Sequence, residues 1–97
     1  AYASSKGGEI ALAKNAARVL AAQGIRVNTV SPGATETPMI AKPLSNPAHR
    51  QRIENLAAQQ RIGRAEEIAS GIVYLLSAQA SFTHGSNLVI DGGIVMP

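Results

Sequence analysis

Apolar residues recur along the first quarter of the chain in two stripes at helical spacing. Ile10, Ala13, Ala17 and Leu20 line one side, and Leu12, Ala16 and Val19 line another. Lys14, Asn15 and Arg18 form the one clear polar face, and it is narrow. A helix apolar over most of its girth is covered on two sides. The pattern predicts a helix from before Ala1 to about Gln23, stopped by a left-handed Gly24. One side should lie on a sheet and the other against a neighbouring helix, such as one from a second subunit. Gly7 and Gly8 cost this helix roughly 1–2 kcal/mol of propensity. Close packing against a helix or a ligand is the usual compensation.

Further along, β-branched content and partial alternation predict a strand over Ile25 to Val30. Ser31-Pro32-Gly33 follows it. Pro32 lacks an N–H and should stop the ladder, and Gly33 lets backbone approach a ligand closely. The plain alternative is a turn with no ligand. Ala34 to Pro47 holds three prolines and no period, so it reads as a mobile loop. Asn46 and Pro47 read as N-cap and first helical residue. A modest helix should then run from Ala48 to about Gln60, with Ile53, Leu56 and Ala57 inward. Arg61 to Arg64 reads as a turn. Ala65 to about Ser77 reads as a helix with a broad apolar face, and Glu66 and Glu67 suit its positive end. After a connector over Ala80 to Gly85, Asn87 to Asp91 reads as a strand covered on both faces. Asp91-Gly92-Gly93 turns out of it. No repeat is visible.

Composition narrows the class without naming a reaction. Ninety-seven residues make at most one small domain, 45% hydrophobic and 15% charged. The chain has no initiator Met and opens inside a helical pattern, so it reads as a piece of something longer. There is no cysteine. That excludes disulfides and a thiolate nucleophile in this stretch and suits a cytoplasmic protein. No apolar run approaches a membrane span. The net charge of +3 invites a nucleic-acid partner. The basic residues are scattered, however, and three aromatics make no stacking platform. His49 and the arginines at 50, 52, 61 and 64 either meet an anionic substrate or form a solvated face. His49 and His84 have no acidic neighbour, so no metal site is expected.

The chemistry that stands out is Tyr2 and Lys6. Residues four apart on a helix share a face, and here that face continues into Ala13, Ala17 and Leu20. A lysine in line with a stripe destined for burial needs a partner or a task. A neighbouring cation favours phenolate, which suits proton transfer. Chance alone also produces this spacing in many helices.

Taken in order, the motifs resemble the short-chain dehydrogenase/reductase family. They are Tyr2-Ala3-Ser4-Ser5-Lys6, then Gly24-Ile25-Arg26-Val27-Asn28-Thr29-Val30-Ser31-Pro32-Gly33, and Thr37-Pro38-Met39. Gly63-Arg64-Ala65-Glu66-Glu67-Ile68-Ala69 and Leu88-Val89-Ile90-Asp91-Gly92-Gly93 complete the set. The resemblance covers nearly the whole chain. It departs from the family at Ala65, where proline is common, and at His84, expected to be exposed.

The resemblance implies an α/β fold, the carboxyl-terminal part of a Rossmann-like doubly wound parallel sheet, with a lid at about 37–60. It implies hydride transfer between NAD or NADP and a small carbonyl or alcohol substrate. Tyr2 would be the proton donor and acceptor, assisted by Lys6, which also holds the nicotinamide ribose. Pro32 and Gly33 would lie near the nicotinamide, and the backbone of Thr35 and hydroxyl of Thr37 would bind its carboxamide. Both threonines could equally be solvated loop residues. The family places the first helix in a dimer interface, so a homodimer or homotetramer is expected, with no nucleic acid and no membrane. Its phosphate loop and its NAD/NADP-selecting residue have no counterpart in these residues, so this stretch alone should be inactive. The alternative is a non-catalytic binding or regulatory member of the same fold. The pattern is most like reductases of 3-oxoacyl thioesters and sugar or polyol dehydrogenases.

Overall fold

The computed structural model describes the backbone of residues 2–94 and the side chains of residues 7–94. Its elements are α1 (Tyr2–Leu20), β1 (Thr29–Pro32), β2 (Thr35–Glu36), α2 (Pro38–Leu44), α3 (Pro47–Glu54), β3 (Gly63–Arg64), α4 (Ala65–Leu76) and β4 (Asn87–Ile90). Strand β1 pairs with β4, and β2 with β3. The chain divides into two compact units, Ala1–Val30 with Ile72–Leu88, and Ser31–Gly71 with Val89–Pro97. Among the described residues no helix is long and apolar enough to cross a membrane.

In the first unit, α1 runs into a short 3-10 turn, Ala21–Gln23, and stops at Gly24 with φ 73°. The Gly24 N–H donates to Ala21 O at 3.0 Å and the Ile25 N–H to Leu20 O at 3.3 Å. These two bonds satisfy the carbonyls that a helix end leaves free, in a Schellman stop. One stripe of α1 is covered: Ala17 is 2% exposed, while Ile10, Ala13 and Leu20 are half-buried. The other is bare at Leu12 and Val19, exposed by 70% and 62%. Ala80 and Leu75 complete the unit's small core.

The first strand starts later than its β-branched content predicts. The Val27 N–H donates to the His84 imidazole Nδ1 at 3.4 Å rather than to a strand carbonyl. The Arg26 guanidinium reaches the carbonyls of Thr83 and Ser77. Asn28 donates to Thr83 O at 3.1 Å and accepts from the Ser86 N–H at 3.0 Å. Side chains thus occupy several backbone groups of the connector, the Gly85 N–H donates to Val27 O at 2.8 Å, and the regular ladder begins where Thr29 N–H donates to Ser86 O at 2.9 Å. His84, expected to be exposed, is half-buried. Its Nε2 also bonds the Ala17 carbonyl of α1.

In the second unit, Gly33 N–H donates to Ile90 O at 2.9 Å. Thr29–Ser86 and Gly33–Ile90 share one offset, so β1 and β4 are parallel. Pro32 does not end the ladder; it is the last strand residue, and Gly33 adds one more bond beyond it. Nor is 34–47 irregular. Strand β2 pairs parallel with β3 in the register Thr35↔Gly63 and Glu36↔Arg64. Helix α2 opens with Pro38, where a missing N–H costs nothing, and buries Leu44. Asn46 caps α3 as its sequence predicts, accepting from the Ala48 and His49 N–H groups. That helix ends at Glu54, short of Gln60. Ala57 is buried, but Leu56 is exposed rather than inward. Ala57 instead bridges Ile94, and the Ala58 and Gln59 N–H groups donate to Gly93 and Gly92 carbonyls.

Candidate active site

The sequence-predicted site residues fall on two stretches. Tyr2 and Lys6 lie in the first two turns of α1. Their side chains lie outside the described residues, so the distance between phenol and ammonium does too. Pro32, Gly33, Thr35 and Thr37 come together on the turn that leaves β1 and enters α2, in the second unit. That turn is at the carboxyl end of a parallel strand, where ligands sit in open α/β sheets.

The hydrogen bonds of this turn sort its groups into used and free. Gly33 spends its N–H on Ile90, and Pro32 has none, so neither offers a donor. Thr35 donates its hydroxyl proton to Gly33 O at 3.0 Å, which leaves its backbone and the acceptor side of that hydroxyl for a ligand. Thr37 is the N-cap residue of α2 in extended conformation, φ −135° and ψ 162°, yet its side chain makes no capping bond. Its hydroxyl is the group on the turn released from local duty, and it can both donate and accept. A carboxamide needs one donor and one acceptor, so this set fits the nicotinamide amide.

Gly33 is required for a reason the sequence does not reveal. A Cβ there would lie 2.8 Å from both Cα and Cβ of Asp91. One close approach that excludes a side chain there comes from the end of β4. Asp91 itself is committed to its turn, its Oδ1 accepting from the Gly93 N–H at 2.8 Å and the Ile94 N–H at 3.3 Å.

Two arginines read as candidates for an anionic substrate already meet carboxylates of the chain. Arg50 Nη1 lies 3.0 Å from Glu36 Oε1, and its Nε 3.4 Å from Glu54 Oε2. Arg61 forms a two-pronged pair with Glu67, both bonds at 2.8 Å. Glu67 also accepts from the Arg64 N–H at 2.9 Å, capping the start of α4. The Arg61 hydrogen bonds, then that backbone bond, lower the Glu67 pKa to about 2. Arg52 Nη2 stands 3.4 Å from His49 Nδ1. A cleft of about 310 Å³ in the second unit is lined by Ala34, Arg61, Gly63, Glu67, Val89 and Asp91 among others. None of Pro32, Gly33, Thr35 and Thr37 lines it.

Comparison with known proteins adds the context these residues lack. A family model described as enoyl-(acyl carrier protein) reductase matches residues 1–95. A 3beta-hydroxysteroid dehydrogenase 1 of Eggerthella lenta is 39% identical over 95 residues, 98% of this chain and 36% of the relative. A 3-alpha-hydroxysteroid dehydrogenase/carbonyl reductase of Comamonas testosteroni is 39% identical, over 97% of this chain and 37% of the relative. The chain therefore spans little more than a third of the length of these relatives. The structure of a 4-hydroxyisoleucine dehydrogenase complexed with NADH matches with TM-score 0.87 and 41% identity, over 95% of this chain and 38% of that one. A putative 2-deoxy-d-gluconate 3-dehydrogenase from Agrobacterium tumefaciens with bound NADP matches with TM-score 0.83 and 36% identity, over 94% and 37%.

Proposed function

The chain belongs to the short-chain dehydrogenase/reductase family, and on that premise we propose that it is the carboxyl-terminal part of an NAD(P)-dependent oxidoreductase acting on a small carbonyl or alcohol. Its α/β fold with parallel strands matches Rossmann-type members over about 38% of their length. The observation that carries the reading is the Pro32–Thr37 turn at the carboxyl end of β1, with a Thr37 hydroxyl unused by its own helix. In relatives of known structure the bound dinucleotide is NADH or NADP.

When bound, the dinucleotide supplies or accepts the hydride. Tyr2 gives its phenolic proton to the carbonyl oxygen on reduction and recovers it on oxidation. Free tyrosine titrates at about 10, too high for an effective base at neutral pH. Lys6 is one helical turn along α1 in sequence, and its ammonium would favour the phenolate left after donation. Lys6 also holds the ribose hydroxyls. Thr37, with the Thr35 backbone, would hold the carboxamide. The bare stripe at Leu12 and Val19 supports burial of α1 against a second copy.

Tyr2→Phe in the complete protein tests the mechanism. The rate of carbonyl reduction with NADH or NADPH should fall by about 10²–10⁴-fold with dinucleotide affinity little changed. Retention of the full rate would remove Tyr2 from the chemistry and favour a binding or regulatory role. The 97-residue chain by itself should show no turnover.

A further inference from the structure

Residues 37–49 leave β2 at Glu36 and return at Arg50, and these two side chains meet. We propose that the Glu36–Arg50 ion pair is a latch that closes the base of this flap and thereby positions Thr37, the next residue after Glu36, for the dinucleotide. The inference rests on the cofactor reading above and names positioning residues that neither touch the ring nor take part in the proton transfer.

Three features aim the latch. Asn46 caps α3, and the Arg50 N–H donates to Asn46 O at 2.9 Å, so Arg50 sits one turn into a helix with a fixed start. Glu54, one turn further on, holds Nε at 3.4 Å and leaves Nη1 for Glu36 at 3.0 Å. On the other side, Glu36 is pinned by its backbone, in register with Arg64 of β3. The pair thus joins two anchored elements 14 positions apart in sequence. Between them lie α2 and Thr37, whose carbonyl accepts the Ile40 N–H at 3.1 Å and opens that helix. Closing such a loop removes freedom that a ligand would otherwise have to remove on binding. The two side chains are 36% and 51% exposed, so solvent and salt screen the attraction. Its expected effect is a few-fold, not orders of magnitude.

The test uses the complete protein and measures binding of NADH and of NADPH by fluorescence, with hydrogen exchange over residues 37–45. Arg50→Ala and Glu36→Ala should each weaken binding of the preferred dinucleotide about two- to fivefold and speed exchange in the flap. Arg50→Lys should recover part of the loss, and the double variant E36A/R50A should bind no more weakly than the worse single variant. The deficit should shrink at high salt, where the unaltered protein loses the latch as well. Unshifted affinity in both alanine variants, or losses that simply add in the double variant, overturns the latch alone. If neither dinucleotide binds the unaltered protein, the cofactor reading falls and the latch with it. Hydrogen exchange on the unaltered protein across salt stands even if a variant misfolds. No acceleration of the flap at high salt counts against the proposal.

Discussion

Gly33 and Asp91 touch through their backbones: a Cβ on Gly33 would sit 2.8 Å from the Asp91 Cα and 3.2 Å from its carbonyl oxygen. Gly33 is not in the left-handed region, so space and not conformation demands glycine there. Gly33→Ala must push the ends of β1 and β4 apart or strain both. Overpacking of this kind costs about 1–3 kcal/mol. Urea unfolding of the complete protein should register that loss. A variant with wild-type stability and only weakened dinucleotide binding would move the reason for Gly33 back to the ligand.

Glu67 makes an acid-sensitive joint. Its pKa falls from 4.5 to about 2 because Arg61 and the Arg64 N–H bond the carboxylate. A depressed folded-state pKa gives stability that is present above the unfolded value and lost as pH falls through the folded one. The contribution should therefore be full above about pH 4.5 and gone near pH 2. The gap in melting temperature between the unaltered protein and Glu67→Gln should close over that window. The side chains involved are partly exposed, so the gap should also narrow in salt. A gap constant from neutral to acid pH would contradict the assignment.

His84 holds two main-chain groups far from it in sequence. With Nδ1 accepting from Val27, the proton sits on Nε2 and is donated to the Ala17 carbonyl. Nitrogen chemical shifts of the imidazole should report this tautomer. His84→Phe leaves both partners unpaired and should cost about 1–3 kcal/mol. Exchange of the Val27 amide should quicken with it. A phenylalanine variant as stable as the parent, with a protected Val27, would mean that neither bond matters.

These cases mark where sequence reading succeeds. Gly24, the Asn46 cap and the start of α4 were legible because each signal and its partner lie within a turn of one another. The late start of β1 was not, because the group that takes the Val27 N–H stands 57 residues away. Strands β2 and β3 have two residues each and exist by pairing across the sequence, so neither carries a pattern of its own. Helix α2 is hidden by its prolines and rewarded by the burial of Leu44. The site residues were legible as motifs. Which of their donors remained free was not, since the bonds that occupy Thr35 and Gly33 appear only in the fold.

Separated from any covering surface, the 97-residue chain should self-associate. Leu12 and Val19 are bare, and Phe82 is exposed by 102%. Apolar surface of this kind drives association. Sedimentation across a concentration series should show species larger than the monomer. A single monomeric boundary together with one cooperative melt would refute the expectation.

The parallel pairing of β1 with β4 sets a timetable for biosynthesis. Thr29 and Ser86 are separated by 57 residues. At roughly 5–20 residues per second, a ribosome needs about 3–11 seconds to deliver the second strand after the first. Throughout that interval the backbone groups of Thr29 and Gly33 that will bind Ser86 and Ile90 lack those partners, and water or a chaperone must attend them.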